Sequence, residues 1–162
     1  MKTSERSFEK ITDEDLKKLA SIAAEDRRDF LARKPQYTEE FLCSALCQGA
    51  ALHFVDRENG VKDFDVWSFY AEKKGVPPFP ARRHARVDLG ESKFGKEPGE
   101  SLKGRRVDIF GRSIESNGNA VKSVQRYLRD RPTRSAYFPA KKAVVLLEPA
   151  NLRGTITWPV KE

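Results

Sequence analysis

The first part of the chain alternates between helical and extended hydrophobic patterns. Thr12 and the acidic residues after it resemble a helix start, and apolar positions then recur every 3.6 residues until Pro35. This pattern predicts a scaffold helix within residues 1–36. Residues 41–55 are nearly continuously apolar, and Gly49 is their main interruption. A strand, a glycine turn and a short helix fit this segment, and one continuous helix is the alternative.

Two aspartates stand in the next apolar segment. Successive side chains of a strand point to opposite faces, so Asp63 and Asp65 would share one face while Phe64 and Val66 are buried on the other. Two like charges on one face cost free energy unless a cation or another positive partner lies between them. The pattern therefore predicts a divalent metal site, and the alternative is an edge strand with a solvated acidic face.

The second part of the chain contains two similar strand patterns. Residues 73–83 are rich in Pro, Gly and basic residues and predict a loop. Residues 86–90 and 106–111 each predict a strand with one outward aspartate, Asp88 in the first and Asp108 in the second. The remaining elements are predicted as a helix over 119–130, a second C-terminal helix over 135–147 and a short edge strand over 155–158.

Length and composition indicate one small domain. The chain has 162 residues, of which 38% are hydrophobic and 34% charged, and no apolar run approaches the roughly 20 residues of a membrane span. The N-terminal residues lack the apolar segment of a secretion signal, which predicts a cytoplasmic protein. Cys43 and Cys47 lie in an apolar run without metal-ligand spacing, so we expect buried free thiols.

The positive charge is concentrated in one segment. The net charge is +7, and residues 82–134 hold 14 Lys and Arg against 7 Asp and Glu, whereas the rest of the chain holds 17 of each sign. A concentrated basic surface favours an anionic partner such as phosphate, nucleotide or nucleic acid. The segment indicates the class of ligand and no more.

Three short motifs together resemble a known superfamily. They are Gln48-Gly49-Ala50-Ala51-Leu52, Asp63-Phe64-Asp65-Val66 and Val107-Asp108-Ile109. Their order and spacing are similar to the glycine turn, the paired-aspartate strand and the third carboxylate of the nucleotidyltransferase superfamily, the fold shared with DNA polymerase beta. The resemblance covers residues 41–114, and each motif alone is short.

The resemblance implies an α+β fold, in which a small mixed sheet is flanked by helices and the Asp63 and Asp108 strands are neighbours. It implies that Asp63, Asp65 and Asp108 bind Mg²⁺ or Mn²⁺ and that the third carboxylate helps activate an acceptor hydroxyl. The turn at Gln48, Gly49 and Ala50 would present backbone N–H groups to phosphate oxygens.

The turn departs from the superfamily pattern, which usually has Ser or a second Gly where this chain has Ala50. Phosphate binding would then depend more strongly on basic side chains, since arginine makes bidentate contacts with phosphate. Asp88 has the same local pattern as Asp108 and is the alternative third carboxylate. The available arginines are Arg82, Arg83, Arg105, Arg106 and Arg112.

The leading hypothesis is a nucleotidyltransferase that moves a nucleoside monophosphate from a nucleoside triphosphate to a protein, an RNA or a small molecule. The first alternative is an inactive module of the same fold that binds RNA, nucleotide or a protein partner. The second is a metal-dependent nuclease, because Glu72-Lys73-Lys74 follows the aspartates with an acid-x-Lys spacing.

Overall fold

The computed structural model describes residues 7–58, 60–79 and 85–160. Within these residues the fold is α+β, as predicted, with one six-stranded mixed sheet flanked by helices. The helices are α1 (Asp13–Arg33), α2 (Gln48–Asp56), α3 (Ala120–Asp130) and α4 (Tyr137–Ala140). The strands are β1 (Phe41–Cys47), β2 (Phe64–Ala71), β3 (Ala85–Asp88), β4 (Arg106–Ile114), β5 (Val144–Glu148) and β6 (Ile156–Trp158). Short 3-10 helices cover Pro35–Glu40, Arg134–Ala136 and Ala150–Leu152.

The strand order is β3-β4-β2-β1-β5-β6. Strands β2 and β4 pair in parallel, and the other neighbouring strands pair in antiparallel orientation. The prediction that the strand after Asp63 lies beside the Asp108 strand is confirmed, and in this register Asp65 is paired with Asp108. Strand β6 lies at the edge of the sheet, also as predicted.

Each face of the sheet carries its own hydrophobic core. On one face, α1 and α2 pack on Phe64 and Val66 of β2 together with Val107 and Ile109 of β4. On the other face, α3 packs on residues of β1, β2 and β5 that include Phe69. Because side chains alternate along β2, Asp65 points to the same face as Phe69 and α3. The buried free thiols Cys43 and Cys47 lie in this second core, as expected.

A third, aromatic cluster explains one glycine of β4. Phe79 stacks on Tyr70 with ring centroids 4.9 Å apart, and it lies directly over Gly111. A Cβ atom added at Gly111 would come within 2.3 Å of the Phe79 ring. The bare backbone is therefore required at this position for the loop after β2 to close over the sheet.

Local sequence accounts for most element boundaries. Thr12 caps α1 in a reciprocal capping box with Asp15, and the Asn119 side chain accepts from the Lys122 backbone N–H at the start of α3. Residues 41–55 form a strand followed by a helix, so the continuous helix is excluded.

The predicted helix over 135–147 is wrong. Only Tyr137–Ala140 is α-helical, and Val144–Glu148 forms β5 between β1 and β6. Residues 144–147 are fully buried, and Val144 and Val145 pair with β1 on one side and with β6 on the other. This long-range pairing outweighs the helical spacing of the segment.

In the part of the chain that the structure describes, no helix has the length and apolarity needed to span a membrane.

Candidate active site

The three motifs meet at one end of the central strands. Cys47, the last residue of β1, is paired with Asp65 near the start of β2, and Asp65 is paired in turn with Asp108 of β4. Helix α2 begins at Gln48, directly after Cys47. The glycine turn, the paired aspartates and the third carboxylate therefore lie at the same end of the central strands and on the same face of the sheet. Strand β2 is central, which excludes the alternative of an edge strand with a solvated acidic face.

The guanidinium of Arg106 connects the carboxylates. Its Nη2 donates to Asp63 Oδ2 at 2.9 Å, its Nε to Asp108 Oδ2 at 3.1 Å and its Nη1 to Glu100 Oε1 at 3.1 Å. The Asp108 side chain is 7% exposed and that of Asp63 is 19% exposed. A positive side chain thus lies between two of the predicted metal-binding carboxylates. Such a partner, like a bound cation, reduces the repulsion between the carboxylates.

Negative charge remains in excess around Asp65. Burial, followed by the neighbouring charges of Asp63 and Asp108, raises the pKa of Asp65 from 3.8 to about 7, although Arg106 and Lys142 act in the opposite direction. One guanidinium and one ammonium therefore do not compensate the desolvation and repulsion of the cluster. Perturbed carboxylates of this kind in a cleft are typical of functional sites.

The start of α2 has unusual backbone geometry. Gln48 has a φ of 63°, a left-handed backbone conformation that residues other than glycine adopt at a cost in free energy. A Cβ atom at Gly49 would meet only the Nζ of Lys142, at 3.7 Å, so packing does not require glycine there. Ala50 is buried in the core on the other face, which leaves only its backbone N–H for a ligand.

A cleft of about 830 Å³ opens beside Asp65 on the same face. Its floor contains Trp67 of β2 and Phe110 of β4, which are paired in the sheet register and whose ring centroids are 5.6 Å apart. Its far end is formed by Arg112 and the segment 133–138. Gln48 lines the cleft together with Asp65, so the cleft leads directly to the start of α2.

The structure corrects the role of Arg105. Its side chain is buried, with Nε donating to the Phe94 carbonyl at 2.7 Å and Nη1 to the Lys62 carbonyl at 3.2 Å. Phe94 belongs to the core on the face opposite Asp65. Arg105 therefore fastens the loop before β4 and does not reach the candidate site.

The other predicted arginines do not share one location. Arg106 binds the carboxylates, Arg112 lines the cleft, and Arg82 and Arg83 lie outside the described residues. The basic segment is consequently not one uniform surface, because part of its charge is used inside the fold.

Asp88 has a structural role. Its carboxylate accepts backbone N–H bonds from Gly90, Lys103 and Gly104, and these bonds lower its pKa. They close the loop between β3 and β4. Asp108, rather than Asp88, is thus the third carboxylate beside Asp65.

The acid-x-Lys motif lies at the wrong end of β2 for a nuclease site. Glu72 follows the last residue of the strand, whereas Asp65 stands near its start, which is a separation of roughly 20 Å along an extended chain. Lys73 forms an ion pair with Glu40 at 3.4 Å. The motif therefore belongs to a strand end rather than to the carboxylate cluster.

Several residues of the site were not found from the sequence. Glu100 lies in a polar loop, Lys142 in the segment predicted as helix, and Trp67 and Phe110 have the apolar character of ordinary core positions. Only the alternation of β2 and β4 could have indicated the last two, since both stand two residues after an aspartate on the same face.

The donor set fits a divalent metal. Mg²⁺ and Mn²⁺ prefer carboxylate oxygens, and Asp63, Asp65 and Asp108 offer them with an excess of negative charge. Among the described residues, no group of three His, Cys, Asp or Glu side chains already has the arrangement of a metal site. The Arg106 guanidinium lies between Asp63 and Asp108, so the carboxylates would have to exchange this partner for a metal ion.

No protein-family model matches the chain, and a search of curated proteins returns no match. The similarity to nucleotidyltransferases therefore depends on the three motifs and on the arrangement described above.

Proposed function

We propose that the protein is a metal-dependent nucleotidyltransferase, which transfers a nucleoside monophosphate from a nucleoside triphosphate to an acceptor hydroxyl. The observation that carries this proposal is the pairing of Asp65 with Asp108 on parallel neighbouring strands, beside the start of α2. Carboxylates on two adjacent strands next to a helix N-terminus combine ligands for a cation with backbone donors for phosphate.

The chain's own residues have separate roles in this proposal. The backbone N–H groups of Gly49 and Ala50 and the ammonium of Lys142 bind the phosphates of the donor, whereas the N–H of Gln48 already donates to the Ala143 carbonyl at 3.0 Å. The acceptor oxygen forms a bond to the α-phosphorus, the bond from that phosphorus to the bridging oxygen breaks, and pyrophosphate leaves with the electron pair. Asp108 accepts the hydroxyl proton. A metal bound by Asp63, Asp65 and Asp108 supplies charge stabilisation for the attacking and leaving oxygens.

The test is transfer of labelled nucleotide by the full chain. Each of the four ribonucleoside triphosphates, labelled at the α-phosphate, is incubated with Mg²⁺ or Mn²⁺ and with bulk RNA, cell protein or nucleoside monophosphates. We expect labelled acceptor from the wild type, and a loss of at least about a hundredfold in Asp108→Asn, because general-base catalysis contributes on this scale. Asp130→Asn, an exposed change on α3, is the matched control and retains wild-type transfer.

Triphosphate binding separates a catalytic loss from a folding defect. Asp108→Asn should bind the metal-triphosphate complex within a few fold of the wild type. Absence of transfer from all four triphosphates in the wild type, with every acceptor, would contradict the proposed function.

A second candidate function is an inactive module that binds an anionic ligand. The contacts of Arg106 with Asp63 and Asp108 favour it, since they already neutralise part of the cluster without a metal. Under this hypothesis the wild type transfers no nucleotide, and Asp108→Asn tightens RNA binding because it removes a negative charge. Transfer by the wild type together with unchanged RNA binding in Asp108→Asn would exclude it.

A further inference from the structure

The guanidinium of Arg106 uses the same carboxylate oxygens that a metal ion would need. Its edge formed by Nε and Nη2 faces two aspartates at once, with Nη2 2.9 Å from Asp63 Oδ2 and Nε 3.1 Å from Asp108 Oδ2. Each aspartate thus gives one oxygen to a single positive group, as it would to a divalent cation. The arginine and a metal ion therefore compete for the same atoms.

The same guanidinium has a third partner on its other side. Its Nη1 donates to Glu100 Oε1 at 3.1 Å, and Glu100 belongs to the loop between β3 and β4. The second carboxylate oxygen of Glu100 lies 3.8 Å from Nη1 of Arg86, whose side chain is exposed. Arg106 therefore has a carboxylate partner outside the candidate metal ligands, and this partner remains when the aspartates bind another cation.

The position of Arg106 makes it an effective competitor. It stands two residues before Asp108 on β4, and side chains two positions apart lie on one face of a strand. Its side chain is only 22% exposed, so water weakens the contacts little. A guanidinium is always charged and its donors match carboxylate oxygens, whereas a metal ion must break these charge-assisted hydrogen bonds before it binds.

We propose that Arg106 is an autoinhibitory residue of the metal site: its guanidinium holds Asp63 and Asp108 in the metal-free protein, and a divalent ion binds when the guanidinium leaves both aspartates and stays with Glu100. This role rests on the proposed function, which assigns the aspartates to metal binding. A contact that only stabilises the fold would support metal binding by holding the ligands in place. An autoinhibitory contact has the opposite effect, because its removal lowers stability and tightens metal binding.

Calorimetric titration of the full chain with Mn²⁺ alone, without nucleotide, tests the role of Arg106. Arg106→Gln should bind Mn²⁺ at least about tenfold more tightly than the wild type, because it removes the competing contacts and one positive charge. In EDTA the same variant should be less stable to urea, since the aspartates lose their partner. Lys103→Gln removes the same charge from an exposed position in the same loop and should change the affinity by less than about threefold.

Two further variants separate the contacts of Arg106 from its charge. Arg106→Lys keeps the charge, but an ammonium lacks the planar fork that contacts three carboxylates together, so its affinity should lie between those of the wild type and Arg106→Gln. Glu100→Gln should weaken Mn²⁺ binding several fold in the wild type and by less than about twofold in the Arg106→Gln background, because Glu100 acts through Arg106. Arg106→Lys retains a positive charge beside the aspartates, so it tests the role even if Arg106→Gln does not fold.

An affinity of Arg106→Gln for Mn²⁺ that equals the wild-type value or falls below it would overturn the proposal. Wild-type affinity in Arg106→Lys, or an equal effect of Glu100→Gln in both backgrounds, would overturn it as well. Arg106→Gln/Asp65→Asn should bind Mn²⁺ at least about tenfold more weakly than Arg106→Gln, and equal binding would place the metal elsewhere and reject the proposal. Tight binding in Arg106→Gln without nucleotide transfer by the wild type would contradict the proposed function and leave the autoinhibition standing.

Discussion

Two arginine-carboxylate clusters of similar burial differ in their charge balance: the first is neutral and the second has excess negative charge. In the first, Arg27 of α1 makes a bidentate ion pair with Glu148 of β5, at 2.8 and 2.6 Å, and Ser44 of β1 donates to the same carboxylate at 2.7 Å. One positive and one negative group satisfy each other there, and their side chains are 14% and 13% exposed. This cluster holds α1 against the sheet.

The second cluster places one guanidinium among several carboxylates. Arg106 contacts Asp63, Asp108 and Glu100, and Asp65 lies beside them with a pKa raised to about 7. A paired ion cluster is complete without a ligand, whereas a cluster with excess negative charge gains free energy from an added cation. Under the proposed function, the first cluster serves stability and the second serves binding.

The largest expected effect is the loss of protein stability when the first cluster is broken. Arg27→Ala should lower the free energy of unfolding by about 3 kcal/mol, because it leaves the Glu148 charge mostly buried without its partner. Urea denaturation followed by circular dichroism measures this loss. Arg126→Ala, which breaks exposed ion pairs with Glu115 and Asp130, is the control and should cost less than about 0.5 kcal/mol. If Arg27→Ala lowers the free energy of unfolding by no more than the control does, the Arg27–Glu148 pair does not stabilise the fold, and the proposed difference between the two clusters is wrong.

The second cluster should respond to pH in the opposite sense to an ordinary ion pair. Folded Asp65 keeps its proton up to about pH 7, whereas an unfolded aspartate releases it near 3.8. Between these values unfolding releases a proton, so in EDTA the contribution of Asp65 to stability falls as pH rises and is constant above pH 7. Asp65→Asn should abolish this slope and raise the free energy of unfolding by about 2 kcal/mol at pH 8, less than for a fully buried group because Asp65 borders the cleft.

Urea denaturation of both proteins at pH 5 and pH 8 measures the two slopes. Asp130→Asn, which is exposed, should behave like the wild type at both pH values. A wild-type stability that rises with pH by the same amount as in Asp65→Asn would show that Asp65 is ionised throughout.

The smallest of the three effects is stabilisation by metal. At a Mg²⁺ or Mn²⁺ concentration about ten times the dissociation constant, binding to the folded state should add about 1.4 kcal/mol and raise the melting temperature. Asp63→Asn and Asp65→Asn should each remove most of this increase, since both remove a ligand and part of the negative charge. Differential scanning calorimetry with and without EDTA measures the shift. A variant of the first cluster, Ser44→Ala, should respond to metal like the wild type, and an equal response in all four proteins would place the metal elsewhere.

The elements that depend on local sequence could be predicted. The capping box at Thr12 and the 3.6-residue period determine α1, and the Asn119 cap determines α3 in the same way. The alternation around Asp63 and Asp65 placed both carboxylates on one side of β2 because a strand has a period of two. These features are set by residues a few positions apart in the chain, so they can be read directly from the sequence.

The features that depend on distant partners could not be predicted. Helical spacing in residues 135–147 did not reveal β5, because that strand exists through its pairing with β1 and β6. Arg105 and Arg106 are adjacent and chemically identical, yet one fastens a loop on one face and the other binds carboxylates on the opposite face.

The chain by itself thus determined helices α1 and α3, the strand character of β2 and β4, and the presence of an aspartate pair and a third aspartate on those strands. Tertiary structure alone decided that Asp65 is paired with Asp108, that Arg106 and Lys142 act on them, and that Trp67, Phe110 and Arg112 form a cleft beside them. The physical reason is that hydrophobic period and capping are local properties, whereas strand register and the burial of charge arise only when segments distant in the chain pack together.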